Sequence, residues 1–201
     1  MSRIYYIVQP GKGANFKSIA ARAAKPFAGD AGRIVARVMR QGPGSVGDQF
    51  AQQATIGASG TVVNWVPSKP FGRKPAPSQT LMGKGRLRAA WQGEGAGAVT
   101  ITETNRVAIG VDRRVVPYAA VFQSRTATTV RANPGNRTKS GQLAMRMFLG
   151  MQYGAWISEA KLLSGLVIQP RPLAVNPIME GRATAVVRAY ILTGTAQEKA
   201  A

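Results

Sequence analysis

AVTITETNRVAIGV, residues 98–111, is the stretch that decides the fold class. Val99 and Ile101 alternate with polar residues up to Glu103, and Val107, Ile109 and Val111 resume the alternation beyond Thr104-Asn105. A period of two puts alternate side chains on one face of a strand. A two-residue break containing Asn suits the tight turn between antiparallel neighbours. The stretch therefore predicts a β-hairpin with one face against a core.

Working outward, Thr80–Gln92 reads as a short helix, with Leu81, Leu87 and Trp91 on one side and Lys84, Arg86 and Arg88 exposed. Gly93–Gly97 ends it. Before it, Trp65–Gln79 (WVPSKPFGRKPAPSQ) carries four prolines, which rule out regular structure and predict a solvated connector or, second, an extended segment lying across a partner. Asn15 is placed to cap a helix over Phe16–Ala24, and Asp30 one over Ala31–Gln41. In the second, Ile34, Val35, Val38 and Met39 share one face and Arg33, Arg37 and Arg40 the other. Val46–Ile56 reads as a resumed helix after Gly42-Pro43-Gly44.

Beyond the hairpin, Val116–Phe122 continues as a strand or short helix, and Gly141–Leu163 as one or two helices. Leu166–Gln169 is a last strand and Pro170–Pro172 a turn. Asn176-Pro177 supplies a cap and a first-turn proline for a final helix to about Leu192, which Gly194 ends. The order of strand, helices, hairpin, helix, strand and helix predicts an α+β fold, a small mostly antiparallel sheet with helices packed on a face. The expected organisation is an N-terminal strand or arm over 1–14, one domain over 15–194 and a frayed tail over 195–201. The domain contains the Pro-rich linker 65–79 and a basic loop over 124–140.

The chain has 27 Lys plus Arg against 8 Asp plus Glu, a net charge of +19 spread over both halves. Such a field favours polyanions: nucleic acid, anionic lipid or an acidic protein face. There is no cysteine and no histidine, which removes disulfides, thiolate chemistry, the commonest metal ligand and the commonest general base. No apolar run approaches membrane-spanning length, and the run near the N-terminus is too short for a signal peptide. The expectation is a soluble intracellular protein, or one that assembles inside the cell.

Candidate motifs are few. Gly42-Pro43-Gly44-Ser45-Val46-Gly47 matches the dinucleotide fingerprint by letters, but a helix precedes it where a strand is needed. Gly11-Lys12-Gly13 and Gly83-Lys84-Gly85 lack the spacing of a phosphate loop. Glu94, Glu103, Asp112, Glu159 and Glu180 lie in separate elements, so neither a metal nor a cofactor site is expected and no catalytic residue is assigned. A carboxylate nuclease built on Glu103 or Asp112 is the weakest of the readings. The best polyanion or partner contacts are Arg125, Arg131, Arg137 and Lys139 in the basic loop, whose guanidinium groups suit phosphates. Without interleaved aromatics, the loop gives no sign of base stacking. Ile4, Tyr5, Tyr6 and Ile7 form a β-type run that needs an edge to pair with, its own or a neighbouring subunit's.

Several short motifs recur in a telling order. Trp65-Val66-Pro67 opens the linker, and Leu81…Gly85-Arg86-Leu87 precedes the hairpin. Val107-Ala108-Ile109-Gly110 forms its second strand. Tyr118-Ala119, Phe122-Gln123 and Ile168-Gln169-Pro170-Arg171-Pro172-Leu173 follow. In this order they resemble the phage virion morphogenesis family of Mu-like phages, over about residues 60–192. The chain differs in Phe122, where the family often has His, and in a longer insertion over 124–165. The resemblance implies a non-enzymatic virion protein, a tail terminator or tail-completion protein of the neck. It would form a homo-oligomeric, hexameric ring that joins the tail to the head connector during virion assembly in the host cytoplasm. Implied partners are the tail tube and sheath, connector or stopper proteins, and genome DNA in the lumen, with no membrane and no cofactor. Tyr118, Gln123, Pro170, Arg171 and Pro172 are its structural motif positions, with Arg171 bonded to a carboxylate or a carbonyl. A basic nucleic-acid-binding protein is the alternative.

Overall fold

The computed structural model describes residues 15–66, 86–116, 119–124, 126–130, 146 and 156–197. Along the chain lie α1 (Phe16–Ala23), α2 (Asp30–Arg40), α3 (Val46–Gln52), β1 (Ala54–Ile56) and β2 (Val62–Asn64). There follow α4 (Arg86–Gln92), β3 (Ala98–Thr102), β4 (Val107–Val111), α5 (Ala119–Phe122) and β5 (Thr128–Val130). The last are α6 (Glu159–Ser164), β6 (Leu166–Ile168) and α7 (Pro177–Thr193). The fold is α+β, with its strands divided among three two-stranded antiparallel sheets, β1–β2, β3–β4 and β5–β6.

The hairpin forms where the alternation places it. Val99 pairs with Gly110 and Ile101 with Ala108, and Glu103 and Arg106 exchange backbone hydrogen bonds around Thr104-Asn105. Side-chain caps start three of the helices. Asn15, Ser45 and Asn176 each accept a hydrogen bond from the third residue on, Ser18, Asp48 and Met179. Pro177 sits in the first turn of α7, and Gly194 closes that helix at φ 81°.

Three local expectations change. Gly29, not Asp30, occupies the cap of α2, and Asp30 pairs with Arg33 one turn on. The segment from Val46 is helical only to Gln52, because Gln53 turns left-handed at φ 52° and redirects the chain into β1. Within the basic loop, Thr128–Val130 is a strand, in register with Leu166–Ile168.

α7 is the shared spine of two apolar clusters. Near its start Met179 packs with Val46, Phe50, Trp65, Leu87, Ala90, Val116 and Ala119. Further on Val186, Val187 and Ile191 pack with Ile19 of α1 and Val35 and Val38 of α2. Val38 and Val186 are fully buried, each stabilising by roughly 1.5–3 kcal/mol relative to exposure. Trp65 belongs to this core: it is 5% exposed, its ring meets Phe50 edge-on at 5.5 Å, and its indole N–H donates to Thr55 Oγ1 at 2.8 Å. The linker therefore starts after an anchored residue. Its four prolines, and the helical segment expected before Arg86, lie outside the described residues.

Gly32 sets how closely α2 approaches the hairpin. A Cβ there would run into the Thr102 methyl and lie 2.6 Å from the Phe27 carbonyl oxygen. Only a residue without Cβ allows this approach.

Candidate interaction surfaces

Arg171 is the most deeply buried cation, at 3% exposure, among the described residues. It lies in the extended segment between β6 and α7. Its backbone N–H donates to the Phe122 carbonyl at 2.6 Å, and Nη2 donates to the Val66 carbonyl at 2.8 Å. The guanidinium carbon stands 5.1 Å from the centre of the Phe122 ring. A weakly hydrated, planar cation over an aromatic face is an arrangement arginine tolerates well. Burial lowers its pKa to about 10, so it is charged at neutral pH. Thr55 Oγ1 donates to the Pro172 carbonyl at 2.6 Å and accepts from Trp65. Trp65-Val66, Phe122 and Pro170-Arg171-Pro172, spread over a hundred residues, thus meet at one junction. Gln123 adjoins it, with its side-chain Nε2 buried and without a hydrogen-bond partner.

Two further buried polar residues support this junction, and the sequence marks only one of them. Asn176 is the expected cap, and its Nδ2 also donates to the Gly44 carbonyl at 2.6 Å. Gln49 is fully buried: it donates to the Ala174 carbonyl at 2.7 Å and accepts from the Ala174 and Ile56 N–H groups. Nothing in the spacing around Gln49 sets it apart from a surface glutamine. The Gly42-to-Gly47 motif is the α2–α3 connection, and α7 fills the space before it. A Cβ on Gly44 would lie 2.6 Å from Asn176 Oδ1 and 2.8 Å from Ile178 Cβ. No room for a dinucleotide remains there.

Several other arginines also bind backbone carbonyls. Arg22 caps the end of α7, with Nε 2.8 Å from the Ile191 oxygen and Nη2 3.1 Å from that of Leu192. Arg182 does the same for α2, with Nη1 2.9 Å from the carbonyls of Gln41 and Pro43. Both place a cation at the negative end of a helix dipole. Arg146 donates to the Ile157 carbonyl and covers the Trp156 ring at 4.6 Å. Arg33 pairs with Asp30, between exposed side chains. With 8 acidic side chains for 27 basic ones, most of the positive charge is not neutralised from within.

The helix face bearing Arg33, Arg37 and Arg40 is more than a solvated surface. It forms one wall of an open cleft of about 250 Å³, with Gln92 of α4 and Thr100 and Thr102 of β3 opposite. Arg40 Nη2 donates to the Val99 carbonyl at 3.0 Å and to Thr100 Oγ1 at 2.6 Å. Burial lowers the pKa of Arg40.

Open strand edges are the other exposed feature. Val62 and Val63 on β2 are 54% and 59% exposed, and within the described residues β2 pairs with β1 alone. Of the other residues singled out in the sequence, Arg125, Arg131, Arg137, Lys139, Ile4, Tyr5, Tyr6, Ile7 and Tyr118 lie outside the described residues. Among the described acids no cluster could hold a metal, and Asp112 accepts from the Arg114 N–H instead. No helix of the described residues is long and apolar enough to cross a membrane. Comparison with known protein families, with curated proteins and with solved structures finds no match to this chain.

Proposed function

We propose that this protein is a structural component of a phage neck or tail, a terminator or completion protein that forms a ring between tail and head connector. The observation that supports this reading is the junction at Arg171. The Trp-Val, Phe-Gln and Pro-Arg-Pro elements, which carry the family resemblance, are far apart in sequence and meet around one buried guanidinium. The open, apolar edge at Val62-Val63 suits strand addition by a neighbouring copy, and closed rings use such head-to-tail contacts. A ring with genome DNA in its lumen also tolerates a net charge of +19.

Mass photometry with negative-stain imaging, at several salt concentrations and with tail tubes present, tests the proposal. Closed rings, free or on tube ends, are expected. A protein that stays monomeric with tubes present and binds DNA tightly at low salt instead makes it a basic nucleic-acid-binding protein. That second reading is favoured by the excess of 27 basic over 8 acidic side chains.

A further inference from the structure

The cleft between α2 and β3 has the chemistry of a phosphate site. Arg33, Arg37 and Arg40 fall at i, i+4 and i+7, so they line one face of α2 over about 10 Å of rise. That length lets Arg33 and Arg37 reach neighbouring phosphates of one strand. The Arg37 side chain is exposed and makes no hydrogen bond or ion pair with any described residue. Arg33 reaches Asp30 in a surface pair that a phosphate can outcompete. Arg40 is held in place by Val99 and Thr100, and its Nε is buried without a hydrogen-bond partner. Opposite stand the hydroxyls of Thr100 and Thr102 and the amide of Gln92, neutral groups that commonly accompany arginine at phosphates.

The lining also separates one partner from another. Protein docking sites commonly seat a buried aromatic anchor in a pocket, and the apolar side chain lining this cleft is Ala36. Single-stranded nucleic acid needs stacking platforms, and no aromatic side chain lines the cleft. Guanidinium donors along α2 with hydroxyls on β3 opposite suit the backbone of a duplex, without base readout.

We infer that the α2–β3 cleft binds the sugar-phosphate backbone of double-stranded DNA, with Arg33 and Arg37 on phosphates and Thr102 as a neutral donor. The site belongs to the single subunit and does not depend on the ring. The test is fluorescence anisotropy with a mixed-sequence DNA duplex across a range of salt, using wild type, Arg33→Ala/Arg37→Ala and Thr102→Val. Arg113→Ala/Arg114→Ala, on the turn after β4, removes equal charge outside the cleft. The cleft pair is expected to lower the slope of log affinity against log salt by about 1.8, about 0.9 for each phosphate that is no longer neutralised. Affinity should fall by about tenfold or more, Arg33→Lys/Arg37→Lys should restore much of it, and the control pair should change it far less.

Equal losses from both pairs would assign binding to overall charge and overturn the inference, as would a wild-type protein that does not bind the duplex. A cleft variant that keeps DNA affinity but loses binding to a polyglutamate peptide would assign the cleft to an acidic protein instead. Mass photometry of the same variants reads assembly separately. Absent rings with the slope change intact would overturn only the ring proposal; intact rings without the slope change would overturn only the cleft.

Discussion

Arg171 holds Phe122 twice: its backbone N–H donates to the Phe122 carbonyl at 2.6 Å, and its guanidinium lies 5.1 Å from the ring centre of the same residue. A third interaction, with the Val66 carbonyl, ties in the start of the Pro-rich segment. One residue thus fixes three separate parts of the chain, and it does so without a carboxylate in any of these interactions.

Replacing Arg171 with Met keeps much of its volume but gives up the charged hydrogen bond and the ring interaction. A loss of about 2–3 kcal/mol in urea denaturation is expected at neutral pH, after the relieved desolvation offsets part of the gross cost. The pH dependence has a definite sign. Burial lowers the folded-state pKa to about 10, below the ordinary guanidinium value. Between the folded and the ordinary value the unfolded chain keeps a proton that the folded protein has released, so stability gained from this group rises with pH there. Below about pH 9 both states are charged, and the difference between wild type and Arg171→Met should be flat. A difference that changes steadily from about pH 6 to 9 would rule out this account.

Gln49→Leu preserves shape and removes every polar atom that serves Ala174 and Ile56. The Ala174 carbonyl and two N–H groups then lose their partner inside the protein. A cost of at least about 3 kcal/mol is expected, since three groups lose their partner and each buried unsatisfied group costs about 1–3 kcal/mol. A thermal melt should show it as a clear fall in Tm. A neutral result would mean that water replaces the amide.

Gly32→Ala sets two effects against each other. In an open helix, alanine would stabilise by about 1 kcal/mol. Here the new methyl meets the Phe27 carbonyl oxygen at 2.6 Å, and backbone cannot give way as a flexible side chain does. Overpacking of this kind typically costs about 1–3 kcal/mol, so a net loss is expected. Greater stability in the variant would show that α2 can lift from the hairpin at little cost.

Val63→Lys places a charge on the open edge of β2, at a position 59% exposed. The folded subunit should change by no more than about 0.5 kcal/mol. Edge lysines block strand addition, so the variant should show fewer or no rings beside wild type in mass photometry. Undiminished assembly would move the subunit interface away from this edge.

The hairpin, the caps at Asn15 and Asn176, the stop at Gly194 and the amphipathic α2 were all legible in the sequence. Each depends on neighbours within a few residues: alternation, cap chemistry, and helical spacing. The α+β class follows from their order. Local rules failed where a distant partner or a single backbone angle took over. Gln53 adopts φ 52° and converts the expected end of a helix into β1. Trp65 reads as the first residue of a solvated linker, yet Phe50 and Thr55 hold it in the core.

By itself the sequence determined the elements, the large positive charge and the absence of His and Cys chemistry, because these are properties of composition and short spacing. The tertiary structure alone decided what the arginines do. Arg22, Arg182 and Arg171 each bind a carbonyl more than a hundred residues away, and Arg33, Arg37 and Arg40 face Thr100 and Thr102 only because Gly32 lets α2 close on β3. At neutral pH a guanidinium carries the same charge in each of these settings; whether it clamps a helix end or lines a cleft depends on which acceptors folding brings within hydrogen-bonding reach.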